Sequence, residues 1–340
     1  MKDKVVAFGE LLLRLSPLGH KRFLQADEFD VMYGGAEANV AIALCVAGFK
    51  SEYVTKLPET EIAEAGLNFV RSFGVDTSFV ARGGPRIGLY YIDRGASLRG
   101  SKVTYDRAGS SFALATKSDF DWERIFADAK IFHLTGITPA LSDEMAAICI
   151  EACREAKRLG VTVSFDVNYR ASLWPLEKAR KILTEISNYV DVCFANEEEI
   201  REVYDIDVPL KGMATDVANH AAYEEMARRL MQKFDFKMTA ITLLDNPSSS
   251  NHIWGGLLYD KSGPHYSRVY SIETVDRVGV GDAFSAGLIG AVLKGYGGDK
   301  AIEYGTAAAA LKFTVEGDCN LVSDKEIEAV AKGGRAEIKR

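Results

Sequence analysis

The 340-residue sequence has no excess of positive charge and no long apolar run. Its 41 basic and 48 acidic residues leave a net charge of −7, so there is no general electrostatic reason to bind nucleic acid or anionic membranes. No apolar run reaches about 18 residues, the length that spans a bilayer, and the apolar stretch before Gly9 is too short for a signal peptide. We therefore expect a cytoplasmic protein whose partners are small molecules.

Cysteine and histidine are few and scattered. The five cysteines include no CxxC pair and lie in apolar surroundings, a pattern typical of buried free thiols. The five histidines show neither HExxH nor Cys/His spacing, which argues against a structural zinc site.

What the chain does contain is an alternation of short apolar runs and helical stretches. The runs "KIFHLTGI", "VTVSFDV", "VDVCFAN" and "MTAITLL" are separated by segments such as "EMAAICIEACREAKRLG", in which apolar residues recur with helical spacing. This alternation predicts an α/β fold with a mostly parallel sheet flanked by helices on both faces.

Two regions break this rhythm, residues 11–33 and residues 86–108. Both alternate polar and apolar residues, contain turn residues and lack a helical period, so they predict antiparallel hairpins. We expect them to form a small β lid that closes over a ligand. The remaining ranges, 1–10, 34–85 and 109–340, would form the core.

The stretch "DRVGVGDAF" is the first candidate for chemistry. It is not GxGxxG, because Phe284 stands where the third glycine is required, and no Lys-Ser/Thr follows to make a P-loop. A turn of Gly279, Val280 and Gly281 at a helix start can present backbone N–H groups to an anion. Asp282 would then serve as base for an attacking hydroxyl. Alternatively, Asp282 simply caps the helix.

A second glycine turn opens "YGGAEANVAIALCVAGF". Gly34 and Gly35 would let a ligand approach bare backbone, while Asn39 in the first helical turn bonds its hydroxyls. The alternative is a tight turn followed by a capped, buried helix.

A third motif, "FANEEEI", ends a predicted strand with Asn196 and Glu199. At the carboxyl end of a strand such groups could organise Mg²⁺ beside phosphates. An acidic, solvated helix start would look the same in sequence.

Together these motifs resemble the ribokinase-like (PfkB) carbohydrate kinases. "DRVGVGDAFSAGLIGAVL" is similar to the C-terminal signature of that family, and "GGAEANVAIALCVAGF" to its N-terminal glycine signature, with "GVDTSFV" and the Asn196/Glu199 pair in family order. The resemblance covers nearly the whole chain. It implies a ribokinase-like α/β core with a small β lid, and ATP-dependent phosphorylation of a sugar hydroxyl.

Carried over by position, the resemblance assigns roles to the motif residues. Asp282 would be the catalytic base and residues 279–281 the anion hole. Asn196 and Glu199 would organise ATP and Mg²⁺. Asp276 falls where relatives bind a monovalent cation such as K⁺.

Within the family, "YGGAE", "GLYYID", "YDRAGSS" and "DVNYRASLW" resemble 2-keto-3-deoxygluconate kinases. The positions that would contact the sugar acid are Gly34, Gly35, Asn39, Tyr90, Tyr105, Arg107, Ile137 and Arg170. Arginines suit a substrate carboxylate because they form charge-assisted, often bidentate hydrogen bonds. Otherwise, the tyrosines pack under the lid, Arg107 is a surface residue and Arg170 forms a surface ion pair.

The expected reaction is therefore phosphorylation of 2-keto-3-deoxygluconate at its C6 hydroxyl, giving 2-keto-3-deoxy-6-phosphogluconate and ADP. A fructokinase, or a kinase for another sugar acid, is the alternative. A catalytically silent sugar sensor is a third, because the segment from Thr242 to Gly256 lacks the family's "TLGxxG" pattern and leaves the ATP contacts unassigned. The resemblance also implies a homo-oligomer formed through the lid.

Overall fold

The computed structural model describes residues 3–334, so the two first and six last residues of the predicted core lie outside the described residues. Within this range the strands are β1 (Lys4–Phe8), β2 (Leu12–Pro17), β3 (Phe29–Gly34), β4 (Ser51–Val54), β5 (Lys56–Leu57), β6 (Ala81–Arg82), β7 (Gly88–Asp93), β8 (Lys102–Asp106), β9 (Ala129–Thr135), β10 (Thr162–Asp166), β11 (Val192–Ala195), β12 (Met238–Asp245), β13 (Asn251–Asp260), β14 (Gly263–Tyr266) and β15 (Tyr270–Glu273). The α-helices are α1 (Ala36–Val46), α2 (Glu61–Ser72), α3 (Trp122–Ile125), α4 (Asp143–Arg158), α5 (Leu176–Ser187), α6 (Glu197–Tyr204), α7 (His220–Phe234), α8 (Val280–Leu293), α9 (Gly298–Lys312) and α10 (Asp324–Ala331).

The main sheet has the order β14-β13-β12-β11-β10-β9-β1-β4, with β15 also paired to β13. Every pair from β4 to β12 is parallel, whereas β13 runs antiparallel to its three neighbours. The predicted α/β class with a mostly parallel sheet is therefore confirmed. The antiparallel strands belong to one edge only.

Helices cover both faces of this sheet. On β1, Val5 packs with residues of α1, α8, α9 and α10, while the adjacent Val6 faces the cluster formed with α4 to α7. Neighbouring side chains of a strand point to opposite faces, so a strand buried on both sides is apolar at every position, as "VVAF" is. Helices α1 and α8 lie against each other and are buried around most of their circumference, which explains their unbroken apolar sequences.

The two regions that break the rhythm form a separate four-stranded sheet of order β3-β2-β7-β8. β2/β3 and β7/β8 are antiparallel pairs, as predicted, and the two pairs join through a parallel contact between β2 and β7. The loop between β7 and β8 reaches the main domain, where Ser97 N donates to Ser250 Oγ at 2.9 Å and Ser249 N donates to Ser97 O at 2.8 Å. Whether this sheet moves as a lid stays a prediction.

The cysteines are all free, and four of them are buried. Cys45 is half-buried, with its Sγ 3.1 Å from Ser51 Oγ, so the prediction of buried free thiols is confirmed except for this partial exposure. No helix within residues 3–334 has both the length and the apolar composition to cross a membrane.

Candidate active site

A cleft of about 620 Å³ lies at the carboxyl ends of the parallel strands, under the small sheet. Strands β9, β10 and β11 lead directly into three of its lining residues, which is the usual ligand position in an open α/β sheet. The predicted site residues that line it are Gly35, Asn39, Tyr90, Tyr105, Arg107, Ile137, Arg170, Asn196, Gly279, Val280, Gly281 and Asp282. The other three, Gly34, Glu199 and Asp276, lie outside this cleft.

Helix α8 begins at the floor of the cleft with the Gly-Val-Gly turn. Gly279 has φ +77°, a conformation that favours glycine, and a Cβ there would lie 1.9 Å from the carbonyl oxygen of Asp318. A Cβ at Gly281 would instead meet no atom within 4 Å. The first-turn N–H groups of a helix have no intrahelical partner, so this turn offers free donors and open space for an anion.

Asp282 lies at the third position of α8 and does not cap the helix. Its carboxylate accepts a hydrogen bond from Asn39 Nδ2 at 2.7 Å, and the N-terminal cap position is taken by Gly279. Burial raises the pKa of Asp282 to about 7; the Asn39 hydrogen bond opposes the rise, and the negative charges of Glu37 and Asp318 add to it. A carboxylate with a pKa near neutrality can accept a proton from a hydroxyl.

The comparisons with known proteins agree with this geometry. The pattern described as "pfkB family carbohydrate kinase" matches residues 2–325. The chain belongs to the pfkB family of carbohydrate kinases.

Individual relatives of this kinase include two proteins named for 2-dehydro-3-deoxy sugar acids. The crystal structure of a 2-dehydro-3-deoxygluconokinase from Thermotoga maritima is 46% identical, with a TM-score of 0.94 over 98% of this chain and 99% of that one. A 2-dehydro-3-deoxygalactonokinase from Haloferax volcanii is 33% identical over 100% of both chains. A pfkB family carbohydrate kinase from Listeria grayi is 34% identical, with a TM-score of 0.90 over 97% of this chain and 99% of that one.

Arg107 of this kinase is buried at the roof of the cleft, not on the protein surface. Its Nε donates to Glu10 Oε2 at 2.7 Å, and Ser110 Oγ donates to the other oxygen of Glu10. Its guanidinium lies 5.5 Å from the ring centre of Tyr105. Glu10 follows β1, and sequence reasoning missed it because a single Gly-Glu after a strand has no distinctive pattern. Arg107 Nη2 also pairs with Glu10 Oε2, at 2.5 Å, which leaves the N–H groups of Nη1 available to a ligand.

Two further arginines of the cleft have no carboxylate partner among the described ion pairs. Arg170 is exposed, and its Nη1 donates to the carbonyl of Tyr169 at 3.4 Å. Its charge opposes the rise in pKa of Asp166, Glu199 and Asp282, but it forms no ion pair with any of the described residues, so the alternative of a surface ion pair is not what the structure shows. Arg277, which sequence reasoning missed, contacts Asn246 Oδ1 at 3.5 Å. It stands directly after Asp276 in "DRVGVGDAF", two residues before Gly279. Both guanidinium groups line the cleft and are free to bind anions.

Asn196 and Glu199 form a reciprocal capping box at the start of α6. Glu199 N donates to Asn196 Oδ1 at 2.9 Å, and Asn196 N donates to Glu199 Oε2 at 3.0 Å. Beside them is a smaller cavity of about 120 Å³, lined also by Asp166 and Asn168. Burial raises the pKa of both Asp166 and Glu199, and their mutual repulsion raises that of Asp166 further. The helix-start alternative is therefore correct as to local structure, and the residues still border a ligand cavity.

Asp318 joins the two glycine turns, and sequence reasoning missed its place in the cleft. Tyr90 Oη donates to its carboxylate, and Arg14 Nη1 donates to Oδ1 at 2.6 Å. A Cβ at Gly34 would lie 2.2 Å from Asp318 Oδ2, so Gly34 makes room for this carboxylate without itself lining the cleft. Tyr90 packs on the underside of the small sheet and also lines the cleft. It therefore combines the packing role with a position that can contact a ligand.

Asp276 lies behind the cleft. Its Oδ2 accepts a hydrogen bond from Arg14 Nη2 at 2.8 Å, and both side chains are buried. The carboxylate therefore does not face the ligand space.

The segment from Thr242 to Gly256 is an antiparallel hairpin made by β12 and β13, not a glycine-rich loop. Thr242, Leu244, Ser249 and Trp254 line the cleft on the side of Gly281. The hairpin explains why no glycine is needed before Gly255: side chains of alternating strand residues form the wall.

Proposed function

We propose that this kinase transfers the γ-phosphoryl group of ATP to the C6 hydroxyl of 2-keto-3-deoxygluconate. The observation that carries the proposal is the position of Asp282, a buried carboxylate at the start of α8, in the same cleft as the open Gly279–Gly281 turn and three arginines. Base, anion hole and carboxylate-binding groups thus border one ligand space.

In this reaction Asp282 accepts the proton of the C6 hydroxyl as the oxygen forms a bond to the γ-phosphorus. The bond from that phosphorus to the bridging oxygen breaks, and ADP leaves with the electron pair. The free N–H groups of Val280 and Gly281 hold the phosphoryl oxygens, whose charge the α8 dipole also favours. Asn39 keeps the Asp282 carboxylate oriented through its 2.7 Å hydrogen bond.

Arg107 and Arg170 would hold the C1 carboxylate of the sugar acid. Arg107 comes from the small sheet and Arg170 from the loop after β10, so the substrate would bridge both parts of the molecule. Glu10 holds one edge of the Arg107 guanidinium. The guanidinium therefore cannot rotate freely, and its other edge stays oriented for a bidentate contact with a carboxylate.

Arg277 and the β12–β13 hairpin would line the triphosphate of ATP. Arg277 carries a positive charge beside the Gly279 turn without a carboxylate partner in the described ion pairs. A guanidinium recognises phosphate oxygens bidentately, which would supply a contact that the glycine-rich segment makes in relatives.

The small cavity beside α6 fits Mg²⁺ carried by ATP. Asn168 Oδ1 is buried there without a hydrogen-bond partner, and Asp166 and Glu199 add two carboxylates whose pKa values burial raises. Mg²⁺ bound to a nucleotide needs only one or two carboxylates, because phosphates and water complete its shell. The ion would neutralise phosphate charge during transfer.

A coupled assay of ADP release tests the proposal with four acceptors: 2-keto-3-deoxygluconate, its C4 epimer 2-keto-3-deoxygalactonate, 5-keto-2-deoxygluconate and fructose. We expect the highest kcat/KM for 2-keto-3-deoxygluconate. The epimer is the second candidate, because the Haloferax relative is named for it. Good turnover of fructose with none of either 2-keto acid would refute the substrate assignment, and ligand binding without ADP release from any acceptor would indicate a sensor.

We also propose that copies of this kinase associate through the small sheet, in the cytoplasm. Phe29 and Val31 of β3 are exposed, as are Leu24 before it and Leu98 in the β7–β8 loop. Exposed apolar residues on and beside this sheet favour burial against a partner. Free thiols suit a reducing compartment such as the cytoplasm. Light scattering tests the assembly: Val31→Lys should lower the molar mass, and a monomeric wild type would refute it.

A further inference from the structure

Lys312, the last residue of α9, has its side chain fully buried next to the loop that leads into the Gly279 turn. Its Nζ donates to two backbone carbonyls, that of Val315 at 2.9 Å and that of Asp276 at 3.3 Å. A bound monovalent cation is likewise surrounded by carbonyl oxygens. Here the positive charge belongs to the Lys312 side chain itself.

Every oxygen of Asp276 already accepts at least one hydrogen bond. Its Oδ2 accepts from Arg14 Nη2 at 2.8 Å and from Gly317 N at 3.2 Å, its Oδ1 accepts from Val278 N at 3.0 Å, and its carbonyl accepts from Lys312. A cation would have to displace these donors, because it requires oxygen ligands of its own. The expected role of Asp276 as a ligand of K⁺ does not fit this arrangement.

The charges around Asp276 also balance without an ion. Arg14 and Lys312 supply two positive charges, and Asp276 and Asp318 supply two negative ones, all four buried. A third cation would enter next to two existing ones at a site shielded from water, where uncompensated charge is costly.

This charged cluster lies directly behind the anion hole. The carbonyl of Asp318 occupies the space where a Cβ at Gly279 would lie, and Val278 N is bonded to Asp276 Oδ1. The cluster therefore fixes the backbone that presents the first N–H groups of α8 and does so without a net charge behind the phosphoryl group.

We propose that the ammonium of Lys312 takes the place of a monovalent cation beside Asp276, so that this kinase does not depend on K⁺. Lys312 acts as a positioning residue for the Gly279 turn. The measurements of kcat rest on the proposed function, because they require phosphoryl transfer to a sugar acid. The measurements of melting temperature do not depend on that function.

The first test uses the wild-type protein in K⁺, Na⁺ or choline chloride at equal ionic strength, measuring kcat and the melting temperature. We expect kcat to agree within about twofold and the melting temperature to show no saturable K⁺ dependence. A saturable activation by K⁺ of about tenfold or more, or a saturable rise in melting temperature, would overturn the proposal. Absence of ADP from every sugar acid, with a cation-independent melting temperature, would instead refute the proposed function alone.

The second test removes the ammonium with Lys312→Ala. We expect kcat to fall by about tenfold or more, because two buried carboxylates then share the single positive charge of Arg14 and two carbonyls lose their donor. We expect ammonium, methylammonium or K⁺ to restore part of both kcat and thermal stability. The control is Lys294→Ala, which removes a lysine paired with Asp324 and Glu328 at the opposite end of α8. Equal rescue of the two variants, or no rescue of Lys312→Ala by any of the three cations, would contradict the replacement.

Discussion

Replacing Asp282 by asparagine separates what this carboxylate costs the fold from what it contributes to catalysis. In the folded protein burial raises its pKa from 3.8 to about 7. At about 1.4 kcal/mol per pKa unit, keeping Asp282 ionised therefore costs up to about 4 kcal/mol of folding free energy. The neutral amide of asparagine removes that cost while keeping the shape of the side chain.

The sign of the effect follows from proton linkage. Because the folded pKa lies above the unfolded one, the stability linked to the bound proton is fully present below the ordinary pKa of 3.8 and is lost as the pH rises through about 7. Asp282→Asn should thus be the more stable protein at pH 8, by at most about 4 kcal/mol, and the difference should vanish near pH 4. Its kcat should fall by a factor of about 10² to 10⁴, the usual contribution of a general base.

Urea unfolding at pH 8 and pH 4, together with the ADP assay, measures both effects. The matched control is Asp121→Asn at the start of α3, where the side chain accepts from Arg124 N at 3.2 Å; asparagine caps as well as aspartate, so stability and turnover should both stay unchanged. Near-normal turnover of Asp282→Asn would refute the base assignment. A variant that is less stable than the wild type at pH 8 would refute the electrostatic reasoning.

Three other perturbations test the remaining groups of the cleft. Arg107→Ala and Arg170→Ala should raise KM for a sugar acid by about tenfold or more and for fructose much less, since only the acid has a carboxylate to hold; equal penalties would remove this argument. Arg277→Ala should raise KM for ATP more than for the sugar, with Arg277→Lys recovering part of the loss, and unchanged ATP kinetics would place Arg277 outside the nucleotide site. Gly279→Ala should lose about 1–3 kcal/mol of stability because of its left-handed backbone and the nearby carbonyl. Gly281→Ala should stay folded but lose turnover as its methyl fills the phosphoryl position, and an active Gly281→Ala would contradict the anion-hole assignment.

Much of the fold follows from local pattern. The apolar runs that form β9 to β12 alternate with helical stretches. A parallel sheet covered by helices on both faces buries the apolar strands and the apolar sides of the helices together. The glycine turns were recognisable for a similar reason: Gly279 stands where the backbone turns left-handed against another chain segment, and only glycine fits there.

The ion pairs behind and above the cleft could not be predicted in this way. Arg14 and Asp318 are 304 residues apart, and Glu10 and Arg107 are 97 apart, so neither pair has a spacing that a sequence pattern can express. Which residues pair across these distances depends on how the small sheet packs against the core. The capping box of α6 is different, because an Asn followed three residues later by Glu is itself a helix-start signal. The sequence alone therefore predicted this helix start, and the structure has it.

If the small sheet moves as a lid, the contact between Ser97 and the β12–β13 hairpin would limit how often the cleft exchanges its contents. Two hydrogen bonds between neutral groups stabilise a contact by about 1–3 kcal/mol in total. This would leave roughly 1–15% of molecules open at equilibrium if no other contact held the β7–β8 loop. Loop motions of this kind occur in microseconds to milliseconds, faster than the usual turnover. With such a lid, ADP would depart without a separate trigger, while bulk water would be kept from the bound nucleotide for most of each cycle.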